Sequence, residues 1–76
     1  METPTRAISG LESMLTIDEL AEYLVIPVRT LYDWRQAGRG PRAVHVGRQL
    51  RYLISDVYSW LEQQREDRPG QVVEWR

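Results

Sequence analysis

Apolar residues along this chain fall into three runs with helical spacing and one with strand spacing. The first thirteen residues, METPTRAISGLES, have no apolar period and predict a disordered arm. Periodicity begins at LTIDELAEYL, where Ile17, Leu20, Ala21 and Leu24 recur at the intervals of one helix face. Thr16 followed three residues later by Glu19 spells a capping box, and Leu15 with Leu20 spells a hydrophobic staple. A first helix is therefore predicted over 17–24, with Asp18 and Glu19 in the turn where the helix dipole favours negative charge.

Pro27 suits the first turn of a second helix, where its missing N–H has no partner to lose. That helix is predicted over 28–37, closed by Gly38 at a position that takes positive φ. Val28, Leu31 and Trp34 share one side of it. Arg29, Asp33 and Gln36 lie on the other, with Thr30 and Tyr32 at the margins. Two short helices joined by about three residues outline a helix-turn-helix. The period then changes to two. Val44 and Val46 alternate with His45, Leu50 and Tyr52 alternate with Arg51, and Gly47 sits in the turn between, which predicts a β-hairpin. Pro41 confines its first strand to an edge or a late start.

Ser55 is the predicted N-cap of a third helix over 56–66. Val57, Trp60 and Leu61 form its inner stripe, while Tyr58, Glu62, Gln63 and Glu66 face out. DRPG ends it, and QVVEWR follows as a short apolar-rich tail that reads as a strand, a partner-binding segment or nothing ordered. The sum is a mainly α fold with a small β-hairpin: a winged helix-turn-helix of three helices plus a two-stranded wing. Its divisions are an arm at 1–13, a domain at 14–67 and a tail at 68–76. The predicted core is Leu15, Leu20, Ala21, Leu24, Leu31, Trp34, Val44, Val46, Leu53, Val57, Trp60 and Leu61.

Composition narrows the function. A chain of 76 residues supports one domain, burying about 60 % of its unfolded surface. Cys is absent, which removes disulfides and thiolate metal sites and fits a reducing cytoplasm. No apolar run approaches the roughly 18 residues of a membrane span, and no signal-peptide pattern opens the sequence. Net charge is only -1, but it is unevenly distributed. Residues 29–51 hold six Arg and one acid, a balance of +5; the remainder holds four Arg and ten acids, a balance of -6. All ten basic side chains are Arg, which suits phosphate and guanine recognition and equally follows from a GC-rich genome.

No catalytic or metal-binding set emerges. His45 is the lone His, without Cys or carboxylate partners at ligand spacing. Ser55 reads as a cap rather than a nucleophile, and GRG lacks the lysine and spacing of a phosphate loop. No cofactor, small-molecule substrate or membrane partner is implied. The outer face of the second helix has the chemistry of a DNA reader. Arg29 can grip guanine and Gln36 adenine in a major groove. Thr30 and Tyr32 can bond phosphates, and Asp33 can accept from cytosine or orient Arg29. The competing reading pairs Arg29 with Asp33 as a surface ion pair. Arg48 at the hairpin turn and Arg51 on the returning strand can follow the backbone or a narrow minor groove, or else guard a solvated edge. Arg39 and Arg42 fit phosphate clamps. Trp34 and Trp60 read as core, and Trp75 as an anchor for a protein partner.

The segments LTIDELAEYLVIPVRTLYDWRQAG, RGPRAVHVGRQLRY and SDVYSWLEQ together resemble the excisionase-type winged-helix DNA-binding family, a MerR-like group of phage excisionases and small regulators. The resemblance covers residues 14–64. It implies double-stranded DNA binding without catalysis, with Arg29, Thr30, Tyr32 and Asp33 on the helix and Arg48 and Arg51 on the wing. It further implies an integrase or recombinase partner, cooperative self-association on DNA, and a place on the nucleoid of a bacterial host. Two positions depart from the pattern. Val25 stands where the family commonly has Gly, and Pro27 where it often has a capping Ser. Val at positive φ is strained, so a turn of another shape is open at that point. Three functions compete: an excisionase that bends DNA and steers an integrase, a small transcriptional regulator on the same fold, and a protein-interaction adaptor using Trp75 and the acidic face of the third helix.

Overall fold

The structure is a computed structural model, and residues 11–71 are described. The expectations for residues 1–10 and 72–76 lie outside the described residues. In chain order the elements are β1 (Met14–Leu15), α1 (Ile17–Leu24), α2 (Val28–Gln36), β2 (Val44–Val46), β3 (Gln49–Leu53) and α3 (Ile54–Gln63).

The capping box at α1 is formed in both directions. The Glu19 N–H donates to Thr16 Oγ1 at 3.0 Å, and the Thr16 N–H donates to Glu19 Oε1 at 2.9 Å. At the other end Val25 adopts φ 58°, ψ 47°, the left-handed conformation. The Val25 N–H donates to the Glu22 carbonyl at 3.2 Å and the Ile26 N–H to the Ala21 carbonyl at 3.0 Å. Those two bonds define a Schellman motif with Val25 at the position usually held by Gly. The strain expected of a β-branched residue is present, yet the turn keeps the left-handed shape instead of finding another. Two backbone bonds and the half-buried Ile26 packed on the core hold it there.

Helix α2 ends in the same way. The Gly38 N–H donates to the Arg35 carbonyl at 3.1 Å and the Arg39 N–H to the Trp34 carbonyl at 2.8 Å, with Gly38 at φ 74°. Here the left-handed residue is the expected Gly. The N-cap of α2 is Pro27, in extended conformation and without a side-chain cap bond.

The sheet has three antiparallel strands in the order β1-β3-β2, one more than the two-stranded wing predicted from sequence. Met14 pairs with Leu53 and Leu15 with Tyr52, a strand too short to show an alternation. Val46 pairs with Gln49 across Gly47 and Arg48. Positive φ falls on Gly47 (62°) and not on Arg48, the sign pattern of a type II′ turn with Gly first. β2 begins at Val44 and forms an edge, as Pro41 requires.

The start of α3 differs from the prediction. Its N-cap is Leu53, its span is Ile54–Gln63 rather than 56–66, and Ser55 lies inside the first turn. The Ser55 N–H and Oγ both donate to the Glu12 carboxylate, each at 2.9 Å. A carboxylate from 43 residues earlier in the chain thus does the work assigned to the serine, supplying negative charge where the helix dipole favours it. The neighbouring Ile54 N–H donates to the Ser13 carbonyl at 3.4 Å.

Ile17, Leu20, Ala21, Leu31, Tyr52, Val57 and Trp60 are buried. Leu15, Leu24, Trp34 and Leu61 pack around them half-buried. Val46, expected in the core, is 49 % exposed at the end of the edge strand β2, beside the turn. Ile17 and Tyr52 were not in the predicted core. Tyr52 is the largest fully buried side chain. Trp34 and Trp60 contact each other, ring centroids 5.6 Å apart and planes tilted 44°, which bears out their assignment to packing.

Candidate nucleic-acid interface

Helix α2 buries Leu31 and half-buries Val28 and Trp34, so its opposite side is presented outward. Arg29, Tyr32, Asp33 and Gln36 are exposed there, Tyr32 at 49 %, and Thr30 is half-buried at the margin. Arg29 and Asp33 form no ion pair with each other; among the described residues an ion pair joins Arg65 to Glu62 at 2.7 Å. The exposed guanidinium of Arg29 is therefore not committed to its helical neighbour. Arg35 is half-buried on the flank of the helix.

The wing comes close to this helix. An open groove of about 430 Å³ is bordered by Tyr32 of α2, by Arg48, Gln49 and Arg51 of the wing, and by Thr16 and Asp18 at the start of α1. The structure thus brings three sequence-predicted residues, Tyr32, Arg48 and Arg51, to one concavity. Arg48 is exposed at the type II′ turn. Arg51 is half-buried and its Nη1 donates to the Leu50 carbonyl at 2.7 Å. One of its five donors is thereby spent bracing the strand.

Arg39 and Arg42 are exposed on the loop after α2 and do not border that groove. Gly40, between them, has φ 89°, and a Cβ there would lie 3.3 Å from Trp34 Cε3. The loop is seated directly on the Trp34 ring, so the glycine fixes where the two arginines stand. Sequence reading passed over Gly40 and Gln49. Gln49 could have been found from its place beside Arg48 at the turn, but the Gly40–Trp34 approach has no sequence signal.

His45 is exposed on β2, and the described residues hold no group of three or more His, Cys, Asp or Glu placed to bind a metal ion. No described helix is long and apolar enough to cross a membrane.

A short-turn pair of helices, the second exposing Arg, Tyr, Asp and Gln next to an Arg-tipped hairpin, is a helix-turn-helix of the winged, DNA-binding class. The model of the helix-turn-helix domain family matches residues 14–65, most of the chain, and the protein belongs to that family. The family binds DNA and is typically non-enzymatic. No curated protein and no solved structure matches the chain.

Proposed function

We propose that this protein is an excisionase: it binds adjacent sites on duplex DNA cooperatively, bends the duplex and directs an integrase toward excision. The observation that carries the DNA reading is the single groove between Tyr32 and the wing arginines, continuous with the exposed face of α2. An α-helix fills a major groove about 12 Å wide, and a hairpin beside it reaches the next backbone or minor groove. Arg29 and Gln36 read base edges. Thr30 and Tyr32 bond phosphates. Asp33 accepts from cytosine N4. Arg39 and Arg42 clamp the backbone on one flank, and Arg48 with the remaining donors of Arg51 holds it on the other.

The excisionase role rests on the sequence resemblance in RTLYDW, the Arg51–Tyr52 pair and the SDVYSWL helix. One domain of this size touches few base pairs, so specificity requires neighbouring copies on the DNA. The test is integrase-dependent excision in vitro, with and without the protein, on DNA from around its gene. Excision that rises with added protein supports the role. An unchanged yield together with sequence-specific duplex binding makes the protein a transcriptional regulator instead.

A further inference from the structure

The groove between α2 and the wing carries one charge that phosphate binding does not call for. Asp18, exposed in the first turn of α1, borders it together with Tyr32, Arg48 and Arg51. An ionised carboxylate accepts hydrogen bonds and donates none. It can bond no phosphate oxygen, and its charge repels one. On a rim that faces phosphate, Asp18 weakens the interface unless a cation occupies it.

The sheet fixes where Asp18 stands. Leu15 of β1 pairs with Tyr52 of β3, Thr16 caps α1, and Asp18 follows in the first turn. From Tyr52 the same strand runs back through Arg51 to Gln49, next to Arg48 at the hairpin turn. The start of α1 and the wing are thus tied together by one pair of strands. Of the two guanidinium groups bordering the groove, Arg51 is braced by the Leu50 carbonyl. Arg48 has no such brace. Among the described residues neither Arg48 nor Asp18 has an ion-pair partner. Arg42 lines a separate groove beside α3. Asp18 and Arg48 are therefore the uncommitted opposite charges of this concavity.

We propose that Asp18 is a positioning residue for the wing. When duplex DNA closes the groove, the Asp18 carboxylate accepts from one edge of the Arg48 guanidinium and turns the other edge to a phosphate. The role rests on the DNA-binding reading above. A planar fork with five N–H donors serves two anions at once, as the point charge of a lysine does not. In open water such a pair contributes little, so Arg48 stays free of Asp18 in the unbound protein. DNA excludes water from the groove and strengthens the attraction. Arg48 sits at an exposed turn, and its long side chain loses rotamer freedom on binding. Held by Asp18, it sets two contacts against that loss in place of one.

The sign of one substitution tests this. Asp18→Asn makes the chain more positive, so charge alone predicts tighter binding to any duplex. Positioning predicts the reverse. Fluorescence anisotropy with a short labelled duplex should show binding weakened roughly threefold to tenfold. The slope of log K against log[salt] should become shallower by about 1, because one phosphate contact is loosened. Arg48→Ala should be at least as weak, and Asp18→Asn added to it should change nothing further. Arg48→Lys leaves α1 untouched and keeps the cation without the fork; it should bind as weakly as Asp18→Asn. Urea titrations of the same variants separate these effects from the loss of a favourable charge at the start of α1, which lowers stability and leaves the salt slope alone. Tighter binding by Asp18→Asn with a steeper slope overturns the proposal and makes Asp18 a repelling charge. A full loss from Asp18→Asn in the Arg48→Ala background, or Arg48→Lys equal to the parent, overturns it as well. In each of those cases the parent still binds and the DNA reading stands. A parent chain that binds no duplex even at low salt overturns the DNA reading and the positioning role together.

Discussion

Val25 gives the sharpest test of how this fold is held. It occupies the left-handed position of the Schellman motif at φ 58°, ψ 47°, and its side chain is 85 % exposed. Replacing it by Gly therefore removes almost no buried surface. The left-handed conformation costs an L-residue about 1–2 kcal/mol, and Val lies toward the upper end because two γ carbons crowd the backbone. Gly relieves that strain but makes the unfolded chain more flexible, an opposing effect of about 0.4–1 kcal/mol. The balance is a stabilisation of about 0.5–1.5 kcal/mol. At about 4–8 °C per kcal/mol for a domain this small, Val25→Gly should raise Tm by roughly 2–12 °C.

Circular-dichroism melts and urea titrations measure this directly, with an unchanged m-value showing that the effect belongs to stability and not to compactness. The mirror substitution is Gly38→Val, at the matching position of α2. A Cβ on Gly38 meets nothing within 4 Å, so any loss is conformational and should be close in size to the gain at Val25. Val25→Asn should also stabilise, since Asn tolerates the left-handed region without the added flexibility of Gly. A Val25→Gly variant melting at or below the parent, with m unchanged, would refute the reasoning: the turn would then carry no strain to release.

Four of the six Arg in residues 29–51 are exposed: Arg29, Arg39, Arg42 and Arg48. If each meets one phosphate, log K for duplex binding should fall with log[salt] at a slope of about -3 to -4; a flat titration removes the phosphate-clamp role from them. Arg29→Ala should cost about 1–3 kcal/mol at one base position of the site; equal weakening on every sequence, read by competition against base-substituted duplexes, makes Arg29 a phosphate contact. Glu12→Ala should lower stability by about 0.5–2 kcal/mol, the usual cost of losing a helix cap, whereas Ser55→Ala, which keeps the backbone N–H to Glu12, should cost less in the same urea titration.

Local chemistry was legible in the sequence wherever a single segment determined it. Thr16 and Glu19 are three residues apart and satisfy each other, so the box could be read off and formed as written. The outer face of α2 follows from the 100° period and needed nothing from the rest of the chain. What escaped were pairings between distant segments. β1 has two residues, and its partner Leu53 is 39 positions away. The cap of α3 reaches across 43. Ser55 was a reasonable cap by type, but the helix begins one residue before it, and a carboxylate outcompetes a hydroxyl for the free N–H groups of a helix start. At the site, Arg29, Tyr32 and Arg48 could be named from residue type and place. That Tyr32 and Arg48 border one groove while Arg42 borders another depends on the loop resting on Trp34, which no spacing rule reports.

Strand β3 explains why the wing has a defined position at all. A hairpin of three-residue pairing alone is marginal in water and would swing. β3 pairs with β2 on one side and β1 on the other, so the wing continues the domain's own sheet. Its alternation turns Tyr52, 1 % exposed, into the core between α1 and α3, and leaves Arg51 beside it at the rim of the groove. The same two-residue period that buries the tyrosine therefore aims the arginine. A one-residue slip of register would exchange them, placing a guanidinium in an apolar core without a partner, at a cost of several kcal/mol. The buried tyrosine thus sets the register in which the wing arginines meet the helix face, and the geometry of the interface is inherited from the packing of the core.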